Sequence, residues 1–424
     1  MQQARNLTLA LACVAATGAA ACGSTGSGSS GSGTILIGLN IPVSADPSVA
    51  GVITRGAQLA VDQANARGGV KVGGTTYRLL IKKYDDGGQP QQAAANVDSA
   101  IHDGAVAMVE DGIGMRISAA HSQAAGVPEI DITNGDTTLL VNQQMIPYPS
   151  LFRLGIPNDA ASGLLATYVQ SHSQTAALLH DDTDNGRDGA MNMVSNFQTA
   201  GVTLSPSQPI EIAADSPTID AQVQEVKAAA PGAIVLYGTD LFIAKAVTAF
   251  HAAGVSTPIY TSQQGESPAV RLLAGAAATE GMKLVTGRMT SEGDATDFPA
   301  FEKALAQDHL GPTDAGFKDS EGQEIRQPND VDFFAYDAVH VIIAALQHQG
   351  SANPGRPLLD AMNVVTVKSA NGDARGFNSQ NHEAFAAQDV YIAGIHDMQF
   401  EPVKDEQLSA TLPTEDEILS DFPS

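Results

Sequence analysis

The chain has 424 residues, 43% of them hydrophobic, and its 22 basic against 47 acidic side chains give a formal net charge of -25. That is enough apolar material for two domains of ordinary size, and the acidity excludes phosphate backbones and anionic headgroups as natural partners. The two cysteines, Cys13 and Cys22, both fall in the first 22 residues, so the body of the chain must be held by its packed core and not by disulfides.

The first element is a leader. Arg5 gives a short positive start, and Leu7 to Ala21 is an apolar and small-residue run of signal-peptide length, too short to span a bilayer. Ala19 to Ala21 then precede Cys22 as a small-residue cleavage triplet, and this arrangement resembles a bacterial lipoprotein signal. The lipobox of that family usually carries Leu three residues before the cysteine, where this chain has Ala19. The resemblance implies cleavage after residue 21, lipidation of Cys22 and an extracytoplasmic, lipid-anchored protein. Residues 22 to 33 are a Gly/Ser tract, read as a flexible tether about 17 to 20 Å from end to end.

Strands and helices alternate from Thr34 onward. "TILIGLN" predicts a strand, and the next segment places Ile53, Ala57, Ala60, Val61 and Ala64 at helical spacing before Gly68 and Gly69 stop it. "YRLLIKKYD" predicts a strand, "PQQAAANVDSAIHDG" a helix opened by Pro90, and "AVAMVED" another strand. "QTAALLHDD", "GAIVLYG", "TPIYTS" and "GMKLVTG" continue the pattern. Short apolar strands separated by helices imply parallel sheets covered on both faces, and there are too many for one sheet. The expected fold class is therefore α/β with two lobes. A long loop from Asp308 to Asn329 precedes a helix starting near Asp330, and the acidic stretch 404 to 424 reads as a surface tail.

In open parallel sheets ligands bind beyond the carboxyl ends of the strands. The loops there are "NIPVSADPSVAG", "EDGIGMR", "ITNGDTT", "HDDTDNGRDG", "YGTDLF" and "SQQGES". Each is also ordinary turn and N-cap chemistry; their recurrence at one end of both lobes is what favours a site. Catalytic signatures do not assemble: there is no H-E-x-x-H pair, no G-x-S-x-G elbow and no phosphate loop. "HDDTDNGRDG" mimics a calcium loop but puts Asn192 where a bidentate Glu belongs. His121, His251, His340 and His348 lie in helical stretches and read as surface or packing residues. No enzyme, cofactor or metal is expected.

The order of "IGLNIPVS", "GAQLAVDQANARGGV", "YDDGGQPQQAAANVDSAIHDGAVAMV", "LHDDTDNGRDGA", "AIVLYG" and "EGMKLVTG" resembles the type I periplasmic binding proteins, in particular the branched-chain amino-acid (Leu/Ile/Val) binders. The resemblance covers about Thr34 to Val403. It implies two Rossmann-like lobes joined by three crossovers, near Leu154 to Pro157, Gly287 and Gly376, with residues 34–154 and 288–375 in the first lobe and 155–287 and 376–403 in the second. It implies a monomeric solute receptor for an ABC permease in the membrane, closing on a small polar ligand. A sensor reporting to a membrane signalling partner, or a receptor for an amide or small carboxylic acid, is the alternative. The ligand positions it implies are Gly112, Gly114, Met115, Thr133 and Asn134 in the first lobe and Asn185, Tyr237, Asp240, Gln264 and Glu266 in the second. The serine-rich loop of the amino-acid binders is "DGIGMR" here, with no hydroxyl before Ser118.

Overall fold

The computed structural model describes residues 32–287, 298–308, 318–323, 325, 327–385 and 389–403. The leader, Cys13, Cys22, the tail 404–424 and part of the loop 308–329 lie outside the described residues. The tether was expected to reach residue 33, but Ser32 and Gly33 already belong to the first strand.

The first half of the chain builds one sheet. Its strands are β1 (Ser32–Ile41), β2 (Val70–Val72), β3 (Thr75–Asp85), β4 (Ala105–Glu110), β5 (Glu129–Asp131) and β6 (Leu151–Arg153), and their spatial order is β2-β3-β1-β4-β5-β6. All neighbours are parallel except the β2–β3 hairpin at the edge. That edge explains why β3 is only partly buried while β4 is buried throughout. Helix α1 (Pro47–Ala66) covers one face, and α2 (Pro90–Asp103) and α3 (Met115–Ala125) the other. Asp46 caps α1 by accepting from the amides of Ser48 and Val49, and Gly68 and Gly69 end the turn beyond it with φ of +97°.

A second sheet follows, containing β7 (Thr175–Asp181), β8 (Thr203–Leu204), β9 (Ile210–Ile212), β10 (Ala233–Tyr237), β11 (Ile259–Thr261) and β12 (Lys283–Thr286). Around it lie α4 (Asn158–His172), α5 (Asp184–Ala200), α6 (Asp220–Ala229), α7 (Asp240–Ala252), a 3-10 turn at Gln263–Glu266, α8 (Pro268–Ala274) and the short α9 (Ala276–Thr279). The chain passes to this sheet through Leu154–Pro157. It returns after Gly287 through α10 (Phe298–Asp308) to α11 (Asp330–Gln349), which packs on α1, and then α12 (Arg356–Met362) and the small β13 (Thr366–Lys368) and β14 (Ala374–Gly376) hairpin. It crosses a third time to β15 (Tyr391–His396) and β16 (Gln399–Pro402), which extend the second sheet antiparallel beyond β12. The result is a mixed α/β fold dominated by parallel strands.

Candidate functional site

The parallel strands of each sheet point their carboxyl ends at polar loops that start helices. Thr183 caps α5, Thr239 caps α7 and Ser267 caps α8 through their hydroxyls, while α3 starts at Gly114 in the left-handed region. At Gly114 a Cβ would sit 2.4 Å from the Pro90 carbonyl, so close backbone approach as well as φ demands glycine.

One group of these loops meets in a seam between the sheets. The Gly135 amide donates to Asn185 Oδ1 at 3.0 Å, and both Gln263 and Gln264 donate their carboxamide nitrogens to the Thr133 carbonyl, at 3.0 and 2.9 Å. Thr137 donates its amide and its hydroxyl to Asp188, at 3.0 and 2.6 Å. Asn158, at the start of α4, donates to both Asn185 and Asp188. Arg116 Nη2 donates to Asp136 in its own sheet and to Asp184 at the start of α5. The 133–136 loop is itself fixed from below. Arg153, fully buried, donates to the carbonyls of Asn134 and Asp136 and makes a bidentate pair with Glu383. Asp131 accepts from the amides of Thr133 and Asn134, and burial outweighs the pull of Arg153, pushing its carboxyl up to about 7.

A second meeting of the sheets has the opposite character. Asp240 at the start of α7 is 5% exposed; it accepts from Ser267 Oγ at 2.5 Å and from the Leu241 amide. The carboxyl of Asp46, from the turn after β1, stands close enough for its charge to act on Asp240. Burial first, and then the charge of Asp46, push Asp240 up to about 8.

Of the residues expected to line one site, the seam brings together Thr133, Asn134, Asn185 and Gln264, and their polar atoms are used on one another and on the backbone. Gly112 lies against them, since a Cβ there would sit 2.5 Å from Asn134 Cβ. Met115 is instead wholly buried with Ala119, Leu139, Leu140 and Leu151, so its thioether packs the core. Tyr237 is also fully buried, with no hydrogen-bond partner for its hydroxyl among the described residues. Burial raises its phenol above the ordinary range, because β10 turns the ring under Gly189 of α5. Glu266 accepts from the Asp330 amide beside the second crossover, where Asp330 in turn holds Thr286 and Gly287. Burial and the charge of Asp330 raise its carboxyl well above the usual range. Its side chain thus ties the second crossover, while the next residue, Ser267, holds Asp240. Sequence reasoning missed Asp46, Asp188, Gln263, Arg116 and Arg153. The first four lie in segments whose polarity marked them, and Asp46 followed by Pro47 is a helix-start signal; nothing local marks Arg153.

Two sheets with loops converging at their carboxyl ends define a solute-binding architecture. Residues 34–399 match the family described as periplasmic binding protein, and the chain belongs to that family. No curated protein sequence matches it significantly. Among solved structures, it is similar to a type 1 periplasmic binding protein from Bordetella pertussis Tohama I, at 19% identity and a TM-score of 0.74 over 87% of this chain and 100% of that one. It is similar to the branched-chain amino-acid substrate-binding protein LivJ of Streptococcus pneumoniae in complex with isoleucine (19%, TM-score 0.72, 87% and 98%). It is likewise similar to a Rhodopseudomonas palustris solute-binding protein in complex with benzoate (18%, TM-score 0.70, 90% and 100%). At these identities the likeness is one of fold.

Proposed function

We propose that the protein is the extracytoplasmic solute-binding component of an ABC importer, and that its ligand is a small polar molecule carrying an ammonium or other cationic group. The observation that carries the ligand class is the Asp46–Asp240 pair. Two carboxyls contributed by different sheets and pressed together are costly when both are ionised, and a cation between them removes the cost. Asp240 is the member of the expected site that keeps this role; Glu266 serves the crossover. In an amino-acid ligand the carboxylate would take Gly112 to Met115 at the start of α3, where the first amides of a helix have no intrahelical acceptor. Thr133 and Asn134, with Asn185 and Gln264, would frame the closed form. An aromatic acid such as benzoate has no cation to offer the pair.

A thermal-shift screen tests the ligand class, using aliphatic and basic amino acids, polyamines, amides, benzoates and sugars, with calorimetry on each hit. Hits among amines or amino acids support the proposal; hits confined to benzoates or sugars remove the role of Asp240. Lipidation of Cys22 would hold the receptor beside its permease. Changing Cys22→Ser is then expected to release the protein from the membrane fraction, because an acyl chain contributes about 0.8 kcal/mol per buried CH₂. Unchanged retention in fractionated cells would defeat the anchor.

A further inference from the structure

We infer that the seam between residues 133–138 and the start of α5 is a latch that holds the two sheets together without any ligand, with Arg116 as its outer clasp. The inference deepens the receptor reading, because a latch of this kind sets how long a closed receptor retains its solute. The geometry divides into a preset half and an arriving half. Arg116 is oriented wholly from the first sheet: Nη1 donates to Thr138 Oγ1 at 2.8 Å and Nη2 to Asp136 at 3.1 Å, while Asp136 is itself fixed by the amide and hydroxyl of Thr138. The remaining partner, Asp184, comes from the second sheet at 3.0 Å and is 73% exposed, so it can leave for water.

Inside this clasp, Asp188 takes both donors of Thr137 and the Asn158 carboxamide. Asn185 takes the Gly135 amide. These bonds satisfy acceptors on one side with donors on the other, which is how an interface stays closed with nothing between its halves. The seam spends no residue of the Asp46–Asp240 pair, so closure and ligand charge recognition are carried by different side chains.

The test is hydrogen–deuterium exchange of the full ligand-free chain, read at the Gly135 and Thr137 amides, both of which are bonded across the seam. Arg116→Ala is expected to speed exchange there by about two- to fivefold, the range for an exposed ion pair. Thr137→Val, which removes a hydroxyl bonded to a buried carboxylate, is expected to speed exchange at Gly135 by about tenfold or more. In both variants the amides of β4 keep their wild-type protection. Arg187→Ala is the control, since it breaks an exposed pair with Glu211 that stays within the second sheet, and it leaves Gly135 and Thr137 unchanged. Wild-type exchange at these two amides in both latch variants overturns the inference. So does faster exchange spread through β4, which would make the seam a general prop of the fold. Because no solute enters the measurement, failure here leaves the receptor reading standing, and failure of the ligand screen leaves the latch standing.

Discussion

The 133–138 loop and the turn carrying Asp46 both lie past the carboxyl ends of first-sheet strands, and both meet residues that begin helices on the second sheet. At the loop, donors meet acceptors: Thr137 finds Asp188, Gly135 finds Asn185, Gln264 finds the Thr133 carbonyl. At the turn, an acid meets an acid, Asp46 against Asp240. Satisfied polar groups read as architecture. The facing acids of the turn support the proposed cation, because the protein alone gains nothing by ionising both, whereas Glu266 and Asp330 are tied together by the Asp330 amide. Polarity alone, which marked both loops in the sequence, does not separate these two roles; pairing does.

The comparison breaks most heavily at Arg153. If the loop is architecture, Arg153→Met removes the cation that holds Glu383, Asp131 and two loop carbonyls, and urea unfolding is expected to show a loss of about 3 to 5 kcal/mol, the cost of stranding buried charge. A loss under about 1 kcal/mol would mean that the loop stands without its anchor.

Asp240→Asn is the next sharpest cut. Against a cationic hit it is expected to weaken binding by about 2 to 5 kcal/mol in calorimetry, whereas Glu266→Gln, which copies a protonated acid at the crossover, is expected to stay within about 1 kcal/mol. Equal losses would merge the two sites. The ligand-free proteins give a second reading through pH. Burial, and then Asp46, push Asp240 up to about 8 in the folded chain, against the ordinary 3.8 of an unfolded one. The folded state therefore holds the extra proton between those values, and its stabilising effect is complete below the lower one and lost as pH rises through the upper. Asp131, Asp330 and Asp337, each pushed up to about 7 chiefly by burial, act in the same direction. The melting temperature of the wild type is thus expected to fall between pH 5 and 8, and that of Asp240→Asn to fall less steeply. Parallel curves would remove Asp240 from the titrating set.

The smallest expected change is Tyr237→Phe. A fully buried hydroxyl without a hydrogen-bond partner among the described residues gives up little on removal, so stability is expected to stay equal or rise by less than about 1 kcal/mol, with ligand affinity unchanged. A loss of affinity would restore Tyr237 to the ligand site.

Much of this was legible because it is periodic. Aliphatic runs such as "AIVLY" and "AVAMVE" became buried central strands, and Pro90, Gly68 and Gly69 marked helix ends through backbone constraints that act within a turn. The loops that meet were legible as well, since parallel strands place them at one end. Which side chain in each loop does what was not. Whether Asn185 meets a ligand or the Gly135 amide depends on contacts 50 residues apart. The burial of Met115 and Tyr237 follows from how α3 and α5 lie on their sheets, which no local pattern carries. The antiparallel β15 and β16 likewise depend on a third crossing of the chain.

The packing of α11 on α1 has a consequence for the order in which the molecule can assemble. Arg55 in α1 holds Asp332 in a buried two-point ion pair at 2.5 and 2.8 Å, across 277 positions of sequence, and Gly56 leaves room for the Asp332 carbonyl. Every strand of the first sheet is therefore made long before the helix that covers α1. Until that helix arrives, the nascent half carries a guanidinium and an apolar stripe open to water. Such distant closure slows folding and favours waiting in a loose state. A chain truncated after residue 287 is expected to stay aggregation-prone, and a separately supplied 288–424 fragment to rescue it by docking on α1.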